Sequence, residues 1–297
     1  MFSAELLTQT LISGLMIGVL YALMALGITF IYSIVRMINW AMGEFYMLGS
    51  YIQYVAVAYA LGPKLWWLAV IISTAGTFLI GYLIEPILIK PMHARAMERR
   101  DDYATVVTIA LLLMLRSLAV AIGGPYQFRP ETNLPIMWVG PLPMEGARVA
   151  ACLCALLALA LFYVLMSKTW MGLALRATAQ NRVAAQTSGV DVFRLDAVAF
   201  GIGVGLAGLA GALLAPLFLV YPTNGVVTTV KGFEIIVIGG LGSIPGALIG
   251  GLLLGVVESL GAAFISSPYQ NAYGFVLVLL VLMVRPYGLF GERGREA

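Results

Sequence analysis

"GLMIGVLYALMALGITFIYSIVRMINWAMGEFYMLGSY" occupies residues 14–51. Its first half carries no charged residue before Arg36. With the residues before it, this half forms an apolar run over 7–35, longer than the roughly 20 residues that cross a bilayer as a helix. The second half differs. Residues 37–61 are apolar enough to enter a membrane, yet Asn39, Gly43, Glu44 and Gly49 interrupt them. A full span followed by a broken one predicts a polytopic membrane protein. Irregular backbone at membrane depth is tolerated only where protein or a cavity surrounds it.

The whole chain agrees with this reading. Of 297 residues, 61% are hydrophobic and 10% charged, and the mean hydropathy is +0.97. Soluble domains are about 45–50% apolar and about 25% charged. Further spans are predicted at 65–89, 103–122, 149–166, 197–220, 247–265 and 272–284, whereas 233–241 is apolar but too short to cross alone. The expected fold is an all-α, polytopic transmembrane bundle forming one domain over 1–297. It has about eight spans, or eight to ten elements once broken and half-length helices are counted. No basic residue precedes Arg36, so the first apolar run is read as a retained membrane helix rather than a signal peptide.

Charge sets the expected orientation. Lys90, Arg95, Arg99 and Arg100 in one loop, and Lys168, Arg176, Arg182 and Arg194 in 167–196, belong inside by the positive-inside rule. So do Arg285, Arg293 and Arg295 in the tail. The Pro- and Gly-rich stretch 123–146 then lies outside. With these sides fixed, the short 233–241 element has to cross or nearly cross for the tail to end inside. The net charge of +3 is spread over loops, which suits topology and lipid contact rather than nucleic-acid binding.

Catalytic equipment is missing from the sequence. His93 is the only histidine, and neither an H-E-x-x-H motif nor a G-x-x-x-x-G-K-[ST] phosphate loop occurs. No metal site or cofactor is predicted. Cys152 and Cys154 lie two apart on one expected helix and point in different directions, which argues against a disulfide. An enzyme is disfavoured, and any ATP-driven action requires another subunit.

Glycine carries more information. Gly242, Gly246 and Gly250 are four apart, as are Gly201 and Gly205. Small residues on one helix face let another backbone approach. Gly201, Gly205, Gly246 and Gly250 are therefore expected at helix contacts. Ser243 and Pro245 mark a break followed by a helix start. That start is expected at membrane depth, where its N-terminus would face a substrate carboxylate. Residues Asn39, Gly43 and Glu44 of the first break, with Gly239, Gly240, Gly242, Ser243 and Pro245 of the second, are the expected pathway lining. Of the intramembrane ionisable groups, Glu44, Glu234 and Glu258 are functional candidates. Arg116 is a candidate partner for them, and Glu85 is expected to snorkel to the interface.

Residues 177–190, "ATAQNRVAAQTSGV", interrupt this oil. A helix from Gly172 to Ser188, closed by Gly189, is predicted. Its small residues suit a groove on another protein better than a lipid surface.

Within it, "VAAQTSG" (183–189) resembles the E-A-A-x-x-x-G signature of importer permeases driven by ATP-binding-cassette subunits, with Val183 in place of the glutamate. The opening stretch, "VIGGLGSIPGALIGGLLLGVVES" (237–259) and "VRPYGLFG" (284–291) resemble LivH-type permeases of branched-chain amino-acid importers, in matching order over nearly the whole chain. Where the family often reads I-N-F-A-H-G, this chain has "INWAMG" (38–43), so Met42 inherits no role from that histidine. The resemblance implies a multi-pass subunit of the bacterial inner membrane. Its implied partners are a related LivM-type permease, two cytoplasmic ATPases and a periplasmic amino-acid-binding protein. It also implies a cytoplasmic coupling region at about 167–196 that meets an ATPase through Arg176, Arg182, Ala184, Ala185 and Gly189. Urea, short amides or other amino acids are alternative substrates. A stand-alone secondary transporter or channel would leave that helix without a partner.

Overall fold

A computed structural model describes residues 4–94, 99–139 and 142–291. Arg95, Arg293 and Arg295 lie outside these residues. The described chain is mostly helical, with irregular connections and one small antiparallel pair, β1 (Met137–Val139) and β2 (Leu142–Met144), in the stretch 123–146.

The first helix, α1 (Ala4–Val35), ends at Arg36, whose φ of 59° is left-handed. Helix α2 (Met42–Val55) continues as a π turn, Ala56–Leu61, and reverses at Gly62. Helix α3 (Trp66–Ile84) continues through a π turn at Glu85–Ile89 into α4 (Lys90–Ala94). A proline inside a helix removes one donor and crowds the preceding turn, which accounts for the altered winding at Pro86. Then follow α5 (Arg100–Gly123), α6 (Gly146–Lys168), α7 (Trp170–Gln180), α8 (Arg182–Thr187), α9 (Val192–Leu214), α10 (Asn224–Gly239), α11 (Ile244–Phe264) and α12 (Gln270–Val284).

Among the described residues, seven helical stretches are long and apolar enough to cross a membrane. Helices α2 and α10 are shorter and fall outside that set. The expected 233–241 element is the second half of α10, whose 16 residues make about 24 Å. Its first half carries Thr228, Thr229 and Lys231, which cut the apolar run short. With α10 counted, the elements alternate in direction and the expected sides close.

Contacts at the two ends bear out that alternation. At one end, Lys90 and Arg182 both lie over the Phe193 ring, and Arg36 donates to the Ala179 carbonyl at 2.9 Å. At the other, Phe128 bridges Val220, Arg129 Nε donates to the Pro216 carbonyl, and Arg148 reaches Ser13. The first end is the one whose basic residues the sequence reading expected inside.

Helix α9 forms the centre and packs against α1, α2 and α3. Of the span across α9, 83% is buried, against 22% for α5 and α6 and 6% for α12. Glycine allows this crowding. A methyl group on Gly49 would enter the Gly208 backbone, and one on Gly27 would enter that of Gly203. Helices α1 and α11 run antiparallel, with Gly14 and Gly18 against Gly255 and Gly251.

Candidate functional site

The broken span is an interior feature. Beyond Arg36 the chain leaves the helix over 37–41 and runs back into the bundle, where Trp40 meets the Phe233 ring at 5.0 Å. Asn39 Oδ1 accepts from the Ala41 amide at 2.9 Å, a local turn that launches α2. Gly43 N donates to Thr229 Oγ1 at 3.1 Å. Thr229 lies on α10, so α2 begins beside the middle of another helix and not at a membrane surface. Gly43 and Gly225 touch backbone to backbone, and a Cβ on either would enter the other. Glu44, one residue on, is fully buried, and neither of its carboxylate oxygens has a hydrogen-bond partner.

Two cavities flank this region. The outer one, about 400 Å³, is lined on α1 by Tyr21 and Met24, on α10 by Asn224, Val227, Thr228 and Lys231, and on α12 by Gln270 and Asn271. Tyr46 and the turn around Leu217 and Tyr221 complete it. The inner one, about 580 Å³, uses the same three helices further along: Tyr32, Ser33 and Arg36; Val237; and Leu282. Lys231 and Val237 are six residues apart on α10, a rise of about 9 Å. Gly232 packs on Ile28 in that layer, and Gly274 packs on Glu234.

At the floor of the outer cavity stands a buried ion pair. Lys231 binds Glu258 Oε1. Glu258 Oε2 accepts from Tyr21 at 3.1 Å and from Gln270 Nε2 at 3.3 Å. The Lys231 ammonium also lies 5.2 Å from the centre of the Tyr21 ring, within cation–π range. Thus Glu258 finds Lys231 and not Arg116. Among the described residues Arg116 makes no ion pair; it stands on α5 beside Leu113 and Val120. Sequence reasoning missed Lys231 because its half of α10 was not read as membrane. The signal was there: an ionisable residue three before Glu234 in a helical register.

Glu85 corrects a second expectation. It does not snorkel: its side chain is fully buried and both carboxylate oxygens lack partners. The π turn points it inward, toward Asp196 on α9.

The 239–246 break sits elsewhere than expected. It forms the tight turn between α10 and α11, at the same end of the bundle as Arg36. Gly239 and Gly246 meet across it, and the tail seals it: Leu289 N donates to the Ile238 carbonyl and Phe290 N to that of Gly239, both at 2.9 Å. Gly240 lies under Gly288 and Gly291. Ser243 Oγ caps α11 by accepting from Gly246 N at 3.1 Å. Gly242, Ser243 and Pro245 line the inner cavity; Gly239 and Gly240 are buried beneath it. Gly250 lies against the Ile235 carbonyl, and Gly201 and Gly205 against Phe78.

Residues 10–284 match the permease component family of the branched-chain amino acid transport system. The chain belongs to this family. It is 33% identical to the Escherichia coli K12 high-affinity branched-chain amino acid transport system permease protein LivH, over 96% of this chain and 95% of that one. It is 34% identical to BraD, the corresponding permease protein of Pseudomonas aeruginosa, with the same coverage. A probable LivH of Methanocaldococcus jannaschii is 29% identical over 92% of this chain and 89% of that one. No solved structure matches.

In this permease, the run 172–188 is divided between two helices, α7 and α8, and is not the single one expected. Asn181 leaves helical geometry, and its side chain caps α8 by accepting from Ala184 N at 2.9 Å. An asparagine prefers that cap to a helix interior. Gly189, at φ 87°, closes α8 in open space. Arg182 does not face outward freely. It pairs with Asp196, buried on α9, through two contacts, one at 3.1 Å. Ala185 is buried, whereas Val183, Ala184 and Gly189 are exposed. Arg176 is exposed at the rim of the inner cavity. Trp170, Leu173, Ala177 and Gln180 follow one another along one side of α7, at three- and four-residue steps, and all but the half-buried Ala177 are exposed.

Proposed function

We propose that this chain is the membrane-spanning subunit of an ATP-binding-cassette importer that carries branched-chain amino acids across a bacterial inner membrane by alternating access. The observation that carries the mechanism is the pair of cavities. They open toward opposite ends along the same three helices, with about 9 Å of packed protein between them. A small rotation of α1, α10 and α12 against α9 and α11 would close one and open the other.

The engine lies elsewhere, in two cytoplasmic ATPases, and a periplasmic binding protein delivers the amino acid. A related LivM-type permease covers the apolar outer helices. The exposed small and apolar residues of α7 and α8 suit an ATPase groove. Val183, 71% exposed, stands where related permeases carry a glutamate. The contact there is therefore apolar. Arg182 acts from behind it, by tying α8 to α9.

The decisive experiment is uptake of leucine by proteoliposomes holding this chain, its permease partner, the ATPases and the binding protein. Uptake is expected only with ATP. Flux through this chain alone, driven by an ion gradient, would establish a secondary transporter instead. For the coupling surface, Ala184→Arg is expected to insert normally and lose co-purification with the ATPases.

A further inference from the structure

We propose that Lys231, held by Glu258 at the floor of the outer cavity, receives the α-carboxylate of the amino acid on its way through the permease. This rests on the importer reading and names the contact that recognises the substrate.

Glu258 is only 1% exposed, and its oxygens are already used. One accepts from Lys231 and the other from Tyr21 and Gln270. An ammonium has three N–H donors, and Glu258 occupies one. Lys231 lines the cavity while Glu258 does not, so the cation faces the opening and the anion stands behind it. A buried ion pair adds little stability over an apolar pair of the same size. Such a pair under a cavity is instead a cation kept charged in an apolar place. The volume of about 400 Å³ falls within the roughly 300–1,000 Å³ of ligand pockets. Met24 and Val227 offer an aliphatic wall to a leucine-like side chain. Two turns before Lys231 on the same helix face, Asn224 also lines the cavity; it is 8% exposed and its Oδ1 has no partner. It supplies an acceptor for the substrate ammonium. Lysine side chains on a helix lean toward its N-terminus, which turns Lys231 toward Asn224.

Thiol labelling tests the contact. Val227→Cys is introduced on the cavity wall, and its reaction with a maleimide is followed in the complex with the permease partner and ATPases. The binding protein is left out, and the unsubstituted chain corrects for Cys152 and Cys154. L-Leucine is expected to slow labelling, whereas leucinamide, which keeps the side chain and amine but lacks the carboxylate, is not. Equal protection by leucinamide, or none by leucine, overturns the assignment. A second arm neutralises the pair with Lys231→Gln and Glu258→Gln together, which keeps a hydrogen bond and leaves no buried charge. Loss of leucine protection and of ATP-driven uptake in an assembled complex supports the proposal; wild-type uptake overturns it. Failure of the unsubstituted complex to take up leucine would count against the importer reading itself. Normal uptake with equal protection by leucinamide would count only against Lys231.

Discussion

At the scale of single residues, the bundle depends on places where two backbones touch. Gly49 lies where α2 crosses α9. A methyl group there would meet the Gly208 backbone, which cannot rotate away as a side chain could. Gly76 on α3 is different, since its methyl group would touch only the end of Ile52 at 3.4 Å. Alanine is favoured over glycine in a helix by about 1 kcal/mol, and overpacking costs about 1–3 kcal/mol. Gly49→Ala is therefore expected to lower the thermal unfolding midpoint in detergent, and Gly76→Ala to leave it unchanged or raise it. Equal midpoints would mean that α2 and α9 can move apart at that crossing. The four-residue glycine spacing was legible in the sequence, because a helix repeats. The partners were not: Gly43 meets Gly225 and Gly49 meets Gly208, pairs that only tertiary packing brings together. Lys231 escaped notice for a related reason. Its meaning lay in Glu258, on another helix.

At the scale of elements, polar side chains decide where helices stop and what they pull. Nearly every long span was legible from apolar length alone. The exceptions were α10, whose threonines imitate a loop, and the 172–188 run. There, helix propensity gave one helix and the Asn181 cap made two. That cap turns α8 so that Arg182 reaches Asp196, a residue fully buried on α9. The pair links the exposed surface of α8 to the central helix. Removing one member of a buried pair costs about 3–5 kcal/mol, and Arg182, with 28% of its side chain exposed, places the effect at the lower end. Arg182→Ala is expected to lower stability by about 3 kcal/mol and to reduce leucine transported per ATP hydrolysed. Asp196→Asn, which keeps a hydrogen-bond acceptor and strands only the partly exposed Arg182 cation, should do less of both. Transport per ATP that stays constant in Arg182→Ala would show that the link carries no motion. Arg36 makes a second connection, from the turn before α2 to the Ala179 carbonyl on α7. With the bond from Gly43 to Thr229, this joins α7, the broken span and α10, the helix that lines both cavities, in one chain of contacts.

At the scale of the molecule, the alternation of basic ends predicted which loops share a side. Only α10, seen whole, let the count close. The two cavities were not legible at all. Each is built from side chains far apart in the sequence. Of the two sequence breaks that pointed to a pathway, the first is buried beside Glu44, and the second lines the inner cavity through Gly242, Ser243 and Pro245. Helices α1, α10 and α12 line both cavities, so a movement that widens one must narrow the other while the intervening layer of Ile28, Gly232 and Glu234 stays packed. Accessibility at the two ends should therefore be anticorrelated. With Val227→Cys reporting the outer cavity and Tyr287→Cys the inner one, trapping the ATPases in their nucleotide-bound state is expected to raise maleimide labelling at one site and lower it at the other. Nucleotide release should reverse both changes. Labelling that rises at both sites together would describe a channel, and the packed layer would then have to open as a whole.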